Sequence, residues 1–200
     1  MRNGITPVVP LRAAGVNVAM GLDDKTINYD EDAMMELRMM HKVHRLHTFD
    51  LATPALSAYE ALEIATLNGG KATGFADEVG ALIPGIKGDA ILVDLDRVTR
   101  DPWIDPEFDI VDAFVERAMG ADVATVVIGG KIVVEDHQPR TIDVEGLYRE
   151  VRAFCARGLT PEQRARADLL RKIKPYVTRT CSNSRSIGSI AEHRSVAAAV

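Results

Sequence analysis

The five residues Val16–Met20 constrain this chain more than any other stretch. They form a near-continuous apolar run, VNVAM, set between Gly15 and Gly21. A short strand with apolar residues on both faces must be covered on both, the pattern of a parallel sheet flanked by helices. The preceding PVVPLRAAG reads as a helix over Pro7–Ala14, with proline at its start and Gly15 just past its end. Helix, glycine and doubly covered strand is the grammar of an α/β protein. Asp23 and Asp24 follow at once. A carboxylate at the mouth of a buried strand is either a turn residue or a working group, and local sequence alone favours the turn.

The next segments carry helix signals. Asp30 is the expected N-cap of a helix over Glu31–His47, whose stripe is Ala33, Leu37, Met40 and His44. Met34, Met35, Met39 and Met40 are read as packing residues rather than as a binding cavity. Ser57 and Glu60 form a capping box that opens a helix over Ser57–Asn68. Gly69 and Gly70 are expected to break it before a short helix over Lys71–Phe75. The character then changes. A short strand is expected near Ala81, a turn at Pro84-Gly85, and a strong strand over Ala90–Asp94. A Pro- and Asp-rich loop crosses residues 99–109. Strands Ala124–Ile128 and Lys131–Glu135 flank the two-residue turn Gly129-Gly130, a hairpin signal. Two helices follow, Val144–Arg157 and Pro161–Lys174, the second capped by Thr160. These elements divide the chain into 1–76, 77–138, 139–177 and a Ser-, Arg- and Ala-rich tail, 178–200, expected to be disordered.

Composition narrows the function. The formal net charge of -5 over 200 residues argues against a general nucleic-acid binder, which needs a basic face. No apolar run approaches the length of a membrane span, and the N-terminal stretch lacks a signal-type apolar core, so the expected setting is the cytoplasm without a membrane partner. Cys155 and Cys181 show no metal-type spacing and are read as reduced, unpaired thiols. The basic run Arg164, Arg166, Arg171, Lys172, Lys174 is read as a solvated helix face. The series His41, His44, His47 invites a zinc reading. On a helix each step of three drifts by about 60°, which carries His41 and His47 too far round for one ion. An exposed or interface stripe is the expectation there.

Several segments in order resemble the amidohydrolase superfamily, in its branch of metal-dependent deaminases and chlorohydrolases of the cytosine-deaminase and triazine-hydrolase kind. GITPVVPLRAAGVNVAMGLDD, Gly4–Asp23, resembles the family segment leading into the last barrel strand. DAMMELRMM keeps Asp32, Glu36 and Arg38 in register. ALEIATLNGGKATG (Ala61–Gly74), GALIPGIKGDAILVD (Gly80–Asp94) and VATVVIGGKIVVED (Val123–Asp136) follow. The resemblance covers about residues 3–155.

It implies the C-terminal portion of a (β/α)8 barrel plus part of a composite β-sandwich, with Val16–Met20 as the eighth barrel strand. Sites of such barrels lie at the C-terminal ends of the strands. Asp23 then stands where the family keeps a carboxylate that binds the metal and takes a proton from the attacking water. The implied chemistry is hydrolysis of a carbon–nitrogen or carbon–chlorine bond on a small heterocycle. The implied cofactor is a divalent metal, zinc first, with iron and manganese also suited. Asp24 and Leu22 depart from the family, which has a small residue and threonine there. Asn28 falls in the loop overhanging the pocket, where it would contact substrate or structure the loop.

The family's H-x-H pair and its further histidines have no counterpart among His41, His44, His47, His137 and His193. Two readings follow. The chain is a portion of an amidohydrolase, inactive alone and completed by a longer parent, a complementing N-terminal chain or an oligomer. Alternatively, it is a non-catalytic module that reuses this part of the fold for interaction.

Overall fold

The computed structural model describes residues 5–22, 30–45, 52 and 54–177. It forms two compact units, residues 1–143 and 144–200. In the first, helix α1 (Val8–Ala13) starts after Pro7 and ends at Gly15, whose φ of 78° is the left-handed value glycine accepts without penalty. Helix α2 (Ala33–Arg45) packs against α3 (Ala58–Ala65) and α6 (Ile110–Arg117). Their core is Val8, Leu37, Leu56, Ala58, Ile64 and Val115, against which Val18, Met20 and Met40 also pack. A smaller cluster of Val98, Ala113 and Ala118 lies under helix α5 (Leu95–Arg100), and Phe114 packs against both clusters.

The sheet is four-stranded and antiparallel, in the order β1 (Ala90–Val93), β2 (Val123–Ile128), β3 (Lys131–Glu135), β4 (Gln138–Pro139). Ala90 faces Val127, Ile128 faces Lys131 and Glu135 faces Gln138. Both hairpin turns have two residues at positive φ, Gly129-Gly130 and Asp136-His137. That geometry matches the twist of the flanking strands. Asp and His reach the left-handed region more readily than most residues, which lets the second turn form without glycine. Pro139 sits in the edge strand, where its missing N–H leaves no ladder bond unmade.

Several expectations need correction. Val16–Met20 forms no strand: it runs beside α3, with the Met20 N–H donating to the Ile64 carbonyl at 3.4 Å. A doubly covered strand needs sheet neighbours on both edges, and the described residues supply none. No strand forms near Ala81, where the chain bends. Gly69 and Gly70 do not break a helix but lie inside α4 (Leu67–Thr73), while α3 stops at Ala65. Gly70 is required for packing: a Cβ there would stand 2.9 Å from the Val79 carbonyl oxygen. The Pro- and Asp-rich stretch is loop over 101–109 as its composition suggests, but it is flanked by two helices the sequence did not announce, α5 and α6, capped by Asp94 and Asp109. The cap of α2 is Asp32, whose Oδ1 accepts from Met34 N–H at 2.9 Å, while Asp30 accepts from the Asp32 N–H.

The second unit contains helix α7 (Val144–Ala156) and a helix over residues 161–177, α8. Thr160 caps α8 by reciprocal bonds with Gln163. The tail 178–200 lies outside the described residues. Among the described residues no helix is long and apolar enough to cross a membrane.

Candidate active site

The site is built from the segment that leaves α1 and the two contacts that fix where it points. The Gly15 and Val16 N–H groups donate to the Arg12 and Leu11 carbonyls, closing the helix and turning the chain. Asn17 Nδ2 then donates to the Asn68 carbonyl at 3.2 Å, and Asn68 is itself buried. Asn17 and the Met20 N–H thus tie this segment to the α3–α4 junction on one side. On the other, Val18 and Met20 pack into the helical core. The chain reaches Gly21 and Leu22 and re-emerges at Asp30. Asp23, Asp24 and Asn28 lie between, outside the described residues.

The segment that resumes at Asp30 is clamped. Asp32 closes the first turn of α2, and its second carboxylate oxygen accepts from the Gly120 N–H at 2.7 Å. Two turns on, Arg38 Nη2 donates to the Ala118 carbonyl at 2.8 Å. Asp32 and Arg38, matched in the sequence to the family motif, therefore join α2 to the connection that feeds β2. The cap was legible as an acidic residue before an apolar run. The partners 80 and more residues away were not.

Near α1, Arg12 reaches Glu63 at 3.2 Å and Glu60 at 3.5 Å. Glu60 accepts from the Ser57 N–H at 2.9 Å, the main cause holding its carboxyl below the usual range. Burial opposes this, and the Ser57 hydroxyl and Arg12 reinforce it. On the far face, Asp109 is also held low, first by the Val111 and then by the Asp112 N–H. The Tyr59 hydroxyl donates to Asp109 at 3.0 Å, and that bond is the chief reason Tyr59 is raised.

His41 corrects the exposed or interface stripe expected from the sequence. It is fully buried, with Nδ1 3.3 Å from Glu116 Oε1, and Lys42 pairs with the other Glu116 oxygen. His41 is a core residue anchoring α2 to α6; His47 lies outside the described residues. Among the described residues no three His, Cys, Asp or Glu side chains gather to hold a metal ion. A tetrahedral catalytic site takes three protein ligands. The described residues therefore do not fit a resident divalent cation by themselves.

Packed helices and a four-stranded antiparallel sheet are what part of a (β/α)8-barrel amidohydrolase with its appended sheet contains. The amidohydrolase family model matches residues 1–133, and the chain belongs to that family, in its deaminase and chlorohydrolase branch. Among curated relatives, 5-methylthioadenosine/S-adenosylhomocysteine deaminase of Moorella thermoacetica is 38% identical over 151 residues, covering 76% of this chain and 34% of that protein. Among solved structures, a zinc-bound adenosine deaminase from Xanthomonas campestris superposes with a TM-score of 0.69 at 28% identity, over 77% of this chain and 34% of that one. Zinc-bound atrazine chlorohydrolase from Arthrobacter aurescens gives 0.65 at 26%, over 75% and 32%. The chain thus spans about a third of the length of the relatives it matches.

Proposed function

We propose that this chain supplies Asp23 to a hydrolase site that removes an amino group from a heterocycle, with a purine nucleoside of the methylthioadenosine kind as the leading substrate class. The observation that carries the reading is the 38% identity to a deaminase over 151 residues. The chlorohydrolase likeness keeps dechlorination as the related reaction.

Asp23 acts as general base and then acid. One carboxylate oxygen takes a proton as water adds to the electron-poor ring carbon. The same oxygen returns it to the amine, which leaves as ammonia, and the remaining hydroxyl proton passes to the adjacent ring nitrogen as the ring carbon becomes a carbonyl. Asn17, Asp32 and Arg38 fix the described segments that flank Asp23 in the sequence, and Asn28 is proposed to touch substrate. A divalent cation, zinc ahead of iron or manganese, is the cofactor we assign to the complete site, of which Asp23 is one ligand. Zinc in the Xanthomonas and Arthrobacter enzymes supports that choice. Because the sequence holds no H-x-H pair, the 200 residues alone should bind the cation weakly and turn nothing over.

The test is complementation. The chain is co-expressed with the N-terminal two thirds of the Moorella deaminase, and ammonia release from 5-methylthioadenosine is measured. Activity that appears only with both pieces and is lost in Asp23→Asn is the expected result. Restored activity indifferent to Asp23→Asn removes the assigned role. Turnover by the purified chain alone, with about one equivalent of zinc, overturns the claim that it is incomplete.

A further inference from the structure

We propose that α8 is an interfacial helix that lies flat on a bilayer containing anionic phospholipid. This stands apart from the proposed catalytic role. Along residues 161–177 each position turns about 100° from the last. Tyr176, Leu169, Ile173, Val177 and Leu170 then share one arc of about 120°. All five are exposed, Tyr176 to 71%. Lys172 stands about 40° beyond one edge of that arc and Lys174 about 40° beyond the other. Arg164 and Arg171 take the opposite side, where Arg171 pairs with Asp168 at 3.0 Å. Glu162 and Arg166 enter the arc only in the first two turns, so the apolar stripe belongs to residues 169–177. An apolar stripe edged by lysines suits a helix that sinks one face into the acyl boundary while its ammonium groups reach back to the phosphates. The helix is not long and apolar enough to cross the bilayer, so it lies in the plane of the surface.

Charge selects the occupant. Residues 161–200 hold eight Lys and Arg against three Asp and Glu, a net +5, while residues 1–160 hold sixteen against twenty-six, a net -10. A basic, amphipathic end on an acidic chain is complementary to an anionic lipid surface, where each Lys or Arg adds to the attraction. Other occupants match less of the surface. A second copy of α8 would bring the same lysines to both edges of the contact, like charge against like. A nucleic acid would pair the basic side chains and leave the five apolar ones in water. The amidohydrolase model ends at residue 133 and the motif resemblance near 155, so α8 lies beyond the part of the chain that both account for.

The test is flotation of the full chain with lipid vesicles on a density gradient, in which protein aggregate sinks and bound protein rises. We expect the chain to float with phosphatidylcholine vesicles carrying about 30% phosphatidylglycerol and not with phosphatidylcholine alone, and to be released by about 0.5 M salt. Leu169→Glu with Ile173→Glu should abolish flotation. Lys172→Glu with Lys174→Glu should weaken binding about ten-fold or more, and Lys172→Arg with Lys174→Arg should retain it. Far-UV circular dichroism should show the helical content of all three variants unchanged. Absence of flotation with phosphatidylglycerol overturns the proposal, and binding of that chain to poly-glutamate would assign the face to an acidic protein instead. Equal flotation with neutral and anionic vesicles overturns it, as does flotation that survives the Leu169, Ile173 double variant.

Discussion

Two adjacent glycines in α4 should respond in opposite directions to the same substitution. Gly69 and Gly70 are both helical, and alanine in a helix interior is favoured over glycine by about 1 kcal/mol. At Gly69 nothing lies within 4 Å of the added methyl. Gly69→Ala should therefore stabilise the chain by about 0.5–1 kcal/mol. At Gly70 the methyl would sit 2.9 Å from the Val79 carbonyl oxygen. That oxygen cannot retreat easily. Its neighbour Gly80 is itself close to α4, since a Cβ added there would stand 3.1 Å from the Leu67 Cα, and its φ of 103° strains any other residue. Overpacking of this kind costs about 1–3 kcal/mol. After the propensity gain, Gly70→Ala should still lose about 1–2 kcal/mol. Urea unfolding followed by circular dichroism, at one fixed protein concentration, reads both. With a slope of about 2 kcal/mol per molar, the midpoint should rise by roughly 0.3–0.5 M for Gly69→Ala and fall by roughly 0.5–1 M for Gly70→Ala. A Gly70→Ala midpoint at or above that of the parent would refute the close approach of α4 and the Val79 carbonyl.

Other outcomes follow from the same contacts. Asp32→Ala removes a helix cap and leaves the Gly120 N–H without its carboxylate, so a loss of about 1–3 kcal/mol is expected in the same unfolding assay. His41→Ala opens a cavity beside Glu116; it should cost about 2 kcal/mol or more and leave the zinc content of the purified chain unchanged. The Asp109 carboxyl is lower in the folded chain than unfolded, so its contribution is present above the unfolded value, about 3.9, and is lost as pH falls through the folded one. Asp109→Asn should therefore be less stable than the parent at pH 7, with the gap closing towards pH 2. Tyr59 is raised, the opposite case: its contribution is present below the unfolded value, about 10, and disappears as pH rises through the folded value, so Tyr59→Phe should flatten the alkaline limb.

Local signals were legible where the partners sit within a few residues. The Ser57–Glu60 capping box, the Thr160 cap and the Gly129-Gly130 turn all form as their sequences indicate. The Asp136-His137 turn escaped reading because neither residue announces positive φ as glycine does. Asp30 and Asp32 both sit where a cap is wanted, and only the Gly120 N–H, brought up by the 118–120 connection, separates them. His41 looked like part of a surface series because helical spacing states which residues share a face, not which face is covered. α6 and its Glu116 decide that.

The sequence by itself determined the family, the helices and hairpin whose caps and turns are local, and the position of Asp23 after an apolar run, since these depend on residue order and short-range capping. Tertiary structure alone decided that Val16–Met20 packs against α3 as an extended segment instead of joining a sheet, because pairing requires neighbours that the run cannot specify. It alone decided that Gly70 serves contact rather than a helix end, because the Val79 carbonyl that makes it necessary arrives from a separate segment.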